Sequence, residues 1–128
     1  MSSSGAPPPA CPDEHGLYSV TVSGKNGCGT LDDSEDVCIT QGVMCGIALT
    51  SKLPAVGAVE GETSIKDTGD FIDATILVGG VMRSGCSGTW NASSSQLTID
   101  CGGMVAASDA GPSQICVFTL TRISMSCT

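Results

Sequence analysis

Rings and positive charges are scarce in this 128-residue chain, which has one Trp, one Tyr, two Phe and a single His. A core with so few aromatics must be built from Val, Ile, Leu, Ala, Met and half-cystines, helped only by Tyr18, Phe71, Trp90 and Phe118. Five Lys and Arg against thirteen Asp and Glu give a formal net charge of −8. A surface this acidic repels phosphate backbones and anionic headgroups, which argues against a nucleic-acid partner. No apolar run approaches the ~18 residues of a membrane-spanning helix. Neither a P-loop nor a dinucleotide fingerprint occurs, and "SGCSG" around Ser87 is no nucleophile elbow, because Thr89 stands where the second glycine would be. His15 adjoins the N-terminal tail, a poor place to hold a catalytic base. The sequence therefore predicts no enzyme and no cofactor.

Cysteine, by contrast, is abundant. Cys11, Cys28, Cys38, Cys45, Cys86, Cys101, Cys116 and Cys127 form an even set with no C-x-x-C pair, and one histidine cannot complete a Cys/His metal site. This pattern predicts four disulfides, and hence an exported protein: periplasmic, outer-membrane-anchored or secreted. Residues 1–10, rich in Ser, Gly and Pro, offer no face to bury and read as a flexible tether; residues 11–128 read as one disulfide-rich domain. The tether resembles that of bacterial lipoproteins, which implies a lipidated cysteine just ahead of Ser2, at the place of Met1. Membrane contact is expected only through that lipid. The alternative is an ordinary secreted protein with a loose N-terminus.

From Gly16 onward, apolar and polar residues alternate with a period of two, and no helical stripe competes. "LYSVTVS", "DVCIT", "MCGIALT", "VEGETSIK", "FIDATILV", "SGTWN", "QLTID" and "QICVFTLTRI" are eight candidate strands. Alternation places Tyr18, Val20 and Val22 on one face, Cys45 with Ile47 and Leu49, and Ile72 with Ala74, Ile76 and Val78. The turns are hairpins at Gln41-Gly42, "KDTGD", Gly79-Gly80 and "NASSSQ". The expected fold is all-β: an antiparallel meander of about eight strands, closed as an up-and-down barrel that leaves no edge. If Trp90 faces Leu97, Cys86 faces Cys101; if Thr40 faces Val43, Cys38 faces Cys45. Both pairs are candidate cross-strand bridges, while Cys11, Cys28, Cys116 and Cys127 stay unassigned.

The Gly16-Leu17-Tyr18 entry to the first strand, the meander and Arg122 in the last strand resemble the calycin, or lipocalin-like, barrels. Tyr18 stands where that family has Trp. The resemblance implies that Arg122 packs with the Gly-x-aromatic element to close one barrel end, although an arginine in a strand more commonly faces solvent. It also implies a small apolar or amphipathic ligand. An inward lining of Tyr18, Val20, Ile47, Ile76, Leu97 and Phe118 is the expected site. The alternative is a structural or protein-interaction module of the cell envelope or surface with a filled core.

Two acidic stretches invite cation or catalytic readings. Asp32, Asp33, Glu35 and Asp36 crowd one loop, as calcium requires, but lack the alternation and glycine of an EF-hand, so a solvated loop is the plainer reading. Asp67, Asp70 and Asp73 are spaced by three and do not converge on a hairpin. Asp67 and Asp70 read as turn residues; Asp73 reads as exposed, or as a partner for Arg83. Asn91-Ala92-Ser93 matches a glycosylation acceptor in a hairpin loop, a pattern common by chance.

Overall fold

The computed structural model describes residues 11–24, 31, 35–51, 59–101 and 116–127. Eight strands follow in chain order: β1 Gly16–Gly24, β2 Asp36–Gln41, β3 Gly46–Ser51, β4 Val59–Ser64, β5 Phe71–Val78, β6 Val81–Asn91, β7 Gln96–Asp100 and β8 Val117–Ser124. Each pairs antiparallel with the next, and β8 returns to β1, so the sheet is a closed barrel. Closure pairs β8 with β1 and removes the two edges that an open meander would expose.

Two of the turns follow directly from their residues. Gly79 and Gly80 both have positive φ (58° and 87°), as a two-residue hairpin that matches strand twist requires, and Val78 faces Val81. In "KDTGD" the Gly69 N–H donates to the Lys66 carbonyl at 2.9 Å, closing a tight turn. Across the next hairpin, Trp90 faces Leu97 and Gly88 faces Ile99. That register brings Cys86 and Cys101 together, and they are disulfide-bonded.

The β2–β3 hairpin differs from expectation. Gln41 faces Ile47 and Thr40 faces Ala48, so the connection is longer than Gln41-Gly42. It carries a 3-10 turn at Val43–Cys45, in which Met44 and Cys45 both have positive φ (57° and 63°). Cys45 therefore belongs to the turn and does not share the Ile47–Leu49 strand face, while Cys38 faces Thr50. The Cys38/Cys45 pairing is overturned: Cys45 bonds Cys11, and Cys38 bonds Cys127. Cys116 is disulfide-bonded as well. Cys28 lies outside the described residues, as does the whole 1–10 tether.

A pair of bulges reshapes β5 and β6. Phe71 faces Gly88 and Ala74 faces Cys86, so β5 has one extra residue there, with Asp73 at φ 57°. Ile76 faces Arg83, so β6 then takes one extra residue, with Gly85 at φ 70°. The two irregularities cancel, and the register resumes. Their consequence is a change of face. Phe71 is buried and Ile72 is 56% exposed, reversing the alternation expected of "FIDATILV". Arg83 likewise turns inward to 2% exposure, whereas Asp73 is exposed. Arg83 stands opposite Ile76, so the hairpin register does not set it against Asp73.

The barrel interior holds one continuous apolar cluster running from Tyr18 to Leu120. Gly88 shows how close its packing is: a Cβ there would stand 2.6 Å from two atoms of the Phe71 ring. The ring occupies the space that a side chain on β6 would need.

Candidate functional site: the closed end of the barrel

The ends of β2, β4, β6 and β8 and the start of β1 meet at one end of the barrel, and residues 11–15 lie across it. Three rim side chains hold this short segment, and they hold it by its backbone. Gln41, at the end of β2, accepts from the Glu14 N–H at 2.8 Å and donates to the Pro12 carbonyl at 2.9 Å, as a neighbouring strand would. Arg122 on β8 donates from Nη1 to the Asp13 carbonyl at 2.8 Å and the His15 carbonyl at 3.1 Å. Tyr18 on β1 donates its hydroxyl to the Glu14 carbonyl at 2.6 Å. The Cys11–Cys45 bridge adds a covalent tie to the β2–β3 turn.

Beneath the segment lies an aromatic and charged layer. The Arg122 guanidinium carbon is 5.6 Å from the centre of the Trp90 ring, within cation–π range. Tyr18 meets the same ring edge-on, with centroids 6.5 Å apart. The Arg122 stem lies over Gly16, where a Cβ would be 2.7 Å from Cδ. Arg122 is therefore half-buried and engaged, rather than facing solvent as an isolated strand arginine would. Asp70 accepts from the Trp90 backbone N–H at 2.8 Å and ties the turn before β5 to β6.

Glu14 is the anomaly of this end. Its side chain is fully buried, and neither carboxyl oxygen has a hydrogen-bond partner among the described residues. The indole N–H of Trp90 is likewise buried without a partner among them. Burial, and then the negative charge of Asp70, push the Glu14 pKa up to about 8, against a smaller opposing pull from Arg122. Burial likewise raises Tyr18 to about 12, so its hydroxyl stays a donor at any ordinary pH.

The six residues expected to line a ligand site are all inside. Tyr18, Ile76, Leu97 and Phe118 are wholly buried, and Val20 and Ile47 nearly so, all within the same cluster. Val20 and Leu97 both face Leu120, and Val22 faces Phe118, so this side of the lining is mutually packed across β7, β8 and β1. An open depression of about 530 Å³ lies near the β2–β3 turn, where Thr40, Ala48 and Glu62 form one cross-strand row. Ile47 also borders it.

Of the acidic loop, Asp32 and Asp33 lie outside the described residues. Glu35 and Asp36 are half-buried at the start of β2, where the Glu35 carbonyl accepts from the Val20 N–H at 3.2 Å and Asp36 faces Ser19. Among the described residues, no group of three or more His, Cys, Asp or Glu is placed to hold a metal ion.

Sequence reasoning missed Glu14 and Arg83 as buried ionisable side chains. Nothing local marks Glu14, which ends the run Cys11-Pro12-Asp13-Glu14 in a segment without periodicity. Arg83 is turned inward by bulges that no side chain announces. Comparison with family models, with curated proteins and with solved structures finds no match for this chain.

Proposed function

We propose that this chain is an exported, non-enzymatic β-barrel module, held by four disulfides, whose core is filled and whose outer surface serves a structural or protein-interaction role at the cell surface or envelope. One observation carries this reading. The residues that would line a ligand cavity are buried against one another, and the Phe71 ring lies in the space beside Gly88. A carrier of an apolar ligand needs an enclosed apolar cavity of roughly 300 Å³ or more, whereas the depression beside the β2–β3 turn is open and bordered by Thr40, Glu62, Thr63 and Ser64. The described disulfides are compatible with an extracellular or exported protein. Kinship with the calycin barrels is supported by the strand order and by Arg122 lying over Gly16 beside Tyr18.

Titration with a fluorescent hydrophobic probe at pH 6 tests the filled core. No saturable binding is expected from the wild-type chain. Saturation at one probe per chain would favour the alternative, a carrier of a small apolar ligand.

The disulfide count has its own check. Intact mass after alkylation should show no label on the native chain and eight labelled thiols after reduction, one for each cysteine. Fewer than eight would sink the four-bridge framework.

A further inference from the structure

The segment 11–15 combines two features that conflict. Its backbone shares five hydrogen bonds with the side chains of Gln41, Arg122 and Tyr18, and is tied by the Cys11–Cys45 bridge. Its one fully buried side chain, Glu14, has no donor for either oxygen among the described residues. The carboxyl and the Trp90 ring both lie against the turn at Gly69: a Cβ there would be 2.8 Å from Glu14 Oε2 and 2.6 Å from Trp90 Cδ1. A buried carboxylate is tolerated when N–H groups or a cation bond it directly. A neutral carboxyl is tolerated far more readily. The geometry of this pocket suits the neutral form.

We propose that residues 11–15 are a proton-latched end plate, seated on the barrel while the Glu14 carboxyl keeps its proton and released when that carboxyl ionises. The Cys11–Cys45 bridge keeps the released plate attached. This device goes beyond the structural role proposed above and does not depend on the core being filled.

The charges around Glu14 decide the direction. Asp70, from the turn before β5, opposes ionisation, and Arg122, on β8, favours it. Arg122 is already engaged by the Asp13 and His15 carbonyls and by the Trp90 face. Tyr18, on β1, is neutral and donates to the Glu14 backbone carbonyl, not to the carboxyl. Asp13 and His15 flank Glu14 on the plate itself, and Gln41, on β2, brings no charge. Desolvation and Asp70 together outweigh Arg122, so the seated plate holds this proton to about pH 8, whereas a solvated carboxyl loses it near the usual 4.5, and ionisation favours release progressively across that interval. There, a charged Glu14 gains bulk hydration only by leaving, and it takes with it the cover over Trp90 and Tyr18.

Trp90 is the sole tryptophan and therefore reports on the plate without labelling. Acrylamide quenching of its fluorescence, on the full oxidised chain between pH 4 and pH 9, should rise about twofold in a single-proton step lying between the usual 4.5 and about 8. In E14Q, which mimics the neutral carboxyl, quenching should stay low and flat across that range. D70N removes the like charge and should move the step to lower pH, whereas H15Q should leave it in place. A flat wild-type profile, or a step that persists in folded E14Q, overturns the proposal. Should E14Q fail to fold, carboxyl-carbon NMR of the wild-type chain decides. A Glu14 resonance titrating well above the usual 4.5 supports the latch, and one titrating near 4.5 overturns it.

Discussion

Replacing Cys38 and Cys127 together by alanine is expected to destabilise the fold by about 4–5 kcal/mol and to lower the thermal midpoint by roughly 15 °C. This bridge has the longest sequence separation of the described disulfides, 89 residues, against 34 for Cys11–Cys45 and 15 for Cys86–Cys101. Its position adds to its weight. β1 lies between β8 and β2, so the bond reaches from the tail of β8 across β1 to β2 and clasps the seam where the first and last strands meet. Without it, the free end can peel outward from Ser124, and the β1–β8 pairing can fray. The chain-entropy argument ranks the shorter Cys86–Cys101 bridge lower, at about 3 kcal/mol. Urea unfolding of the two double-alanine variants compares them. An equal or larger loss from removing Cys86 and Cys101 would contradict both the ranking and the clasp.

The contact between Phe71 and Gly88 makes a second large effect expected. Phe71→Ala should cost about 3–5 kcal/mol, the transfer term of the ring plus the cavity left behind. Gly88→Val should cost about 1–3 kcal/mol, because the new methyl groups displace a ring that has nowhere to go in a closed barrel. The two losses should not add. In the double variant, the valine side chain occupies part of the space the ring vacates. The double variant is therefore expected to be more stable than the sum of the single losses predicts, by at least about 1 kcal/mol. Denaturant unfolding of all four chains closes the cycle. Simple additivity would mean that the ring does not rest against Gly88.

Turns and simple alternation made much of this fold legible in advance. Gly79-Gly80 and "NASSSQ" determine their hairpins, and from the second of these the Trp90–Leu97 register and the Cys86–Cys101 bridge follow by counting. The failures have a common physical cause. Asp73, Gly85, Met44 and Cys45 adopt positive φ, and three of these four are residue types that give little sign of doing so. Each such residue shifts the alternation by one, and every side chain after it changes face until another shift restores the register. That is why Phe71 and Arg83 point inward, Ile72 points outward, and Cys45 meets Cys11. The end plate was illegible for a different reason. Gln41, Arg122 and Tyr18 hold it through backbone amide and carbonyl groups, which every residue carries, so Pro12, Asp13 and Glu14 need no motif. The six proposed lining residues are buried. Whether a barrel interior is open or packed depends on volumes and rotamers, which an alternating pattern does not encode.

Two of the disulfides also dictate how the chain would carry tension. A pull applied ahead of Cys11 and resisted beyond Cys127 passes from Cys11 to Cys45, back along residues 45–38, and from Cys38 to Cys127, entirely through covalent bonds. The other strands, and the hydrogen-bonded seam between β1 and β8, lie off that line of force. Under load, the chain between these cysteines can lengthen by no more than that short stretch allows, at roughly 3.3–3.6 Å per residue. A domain wired this way would behave as a nearly inextensible link in a tether, with most of its barrel left slack beside the taut path.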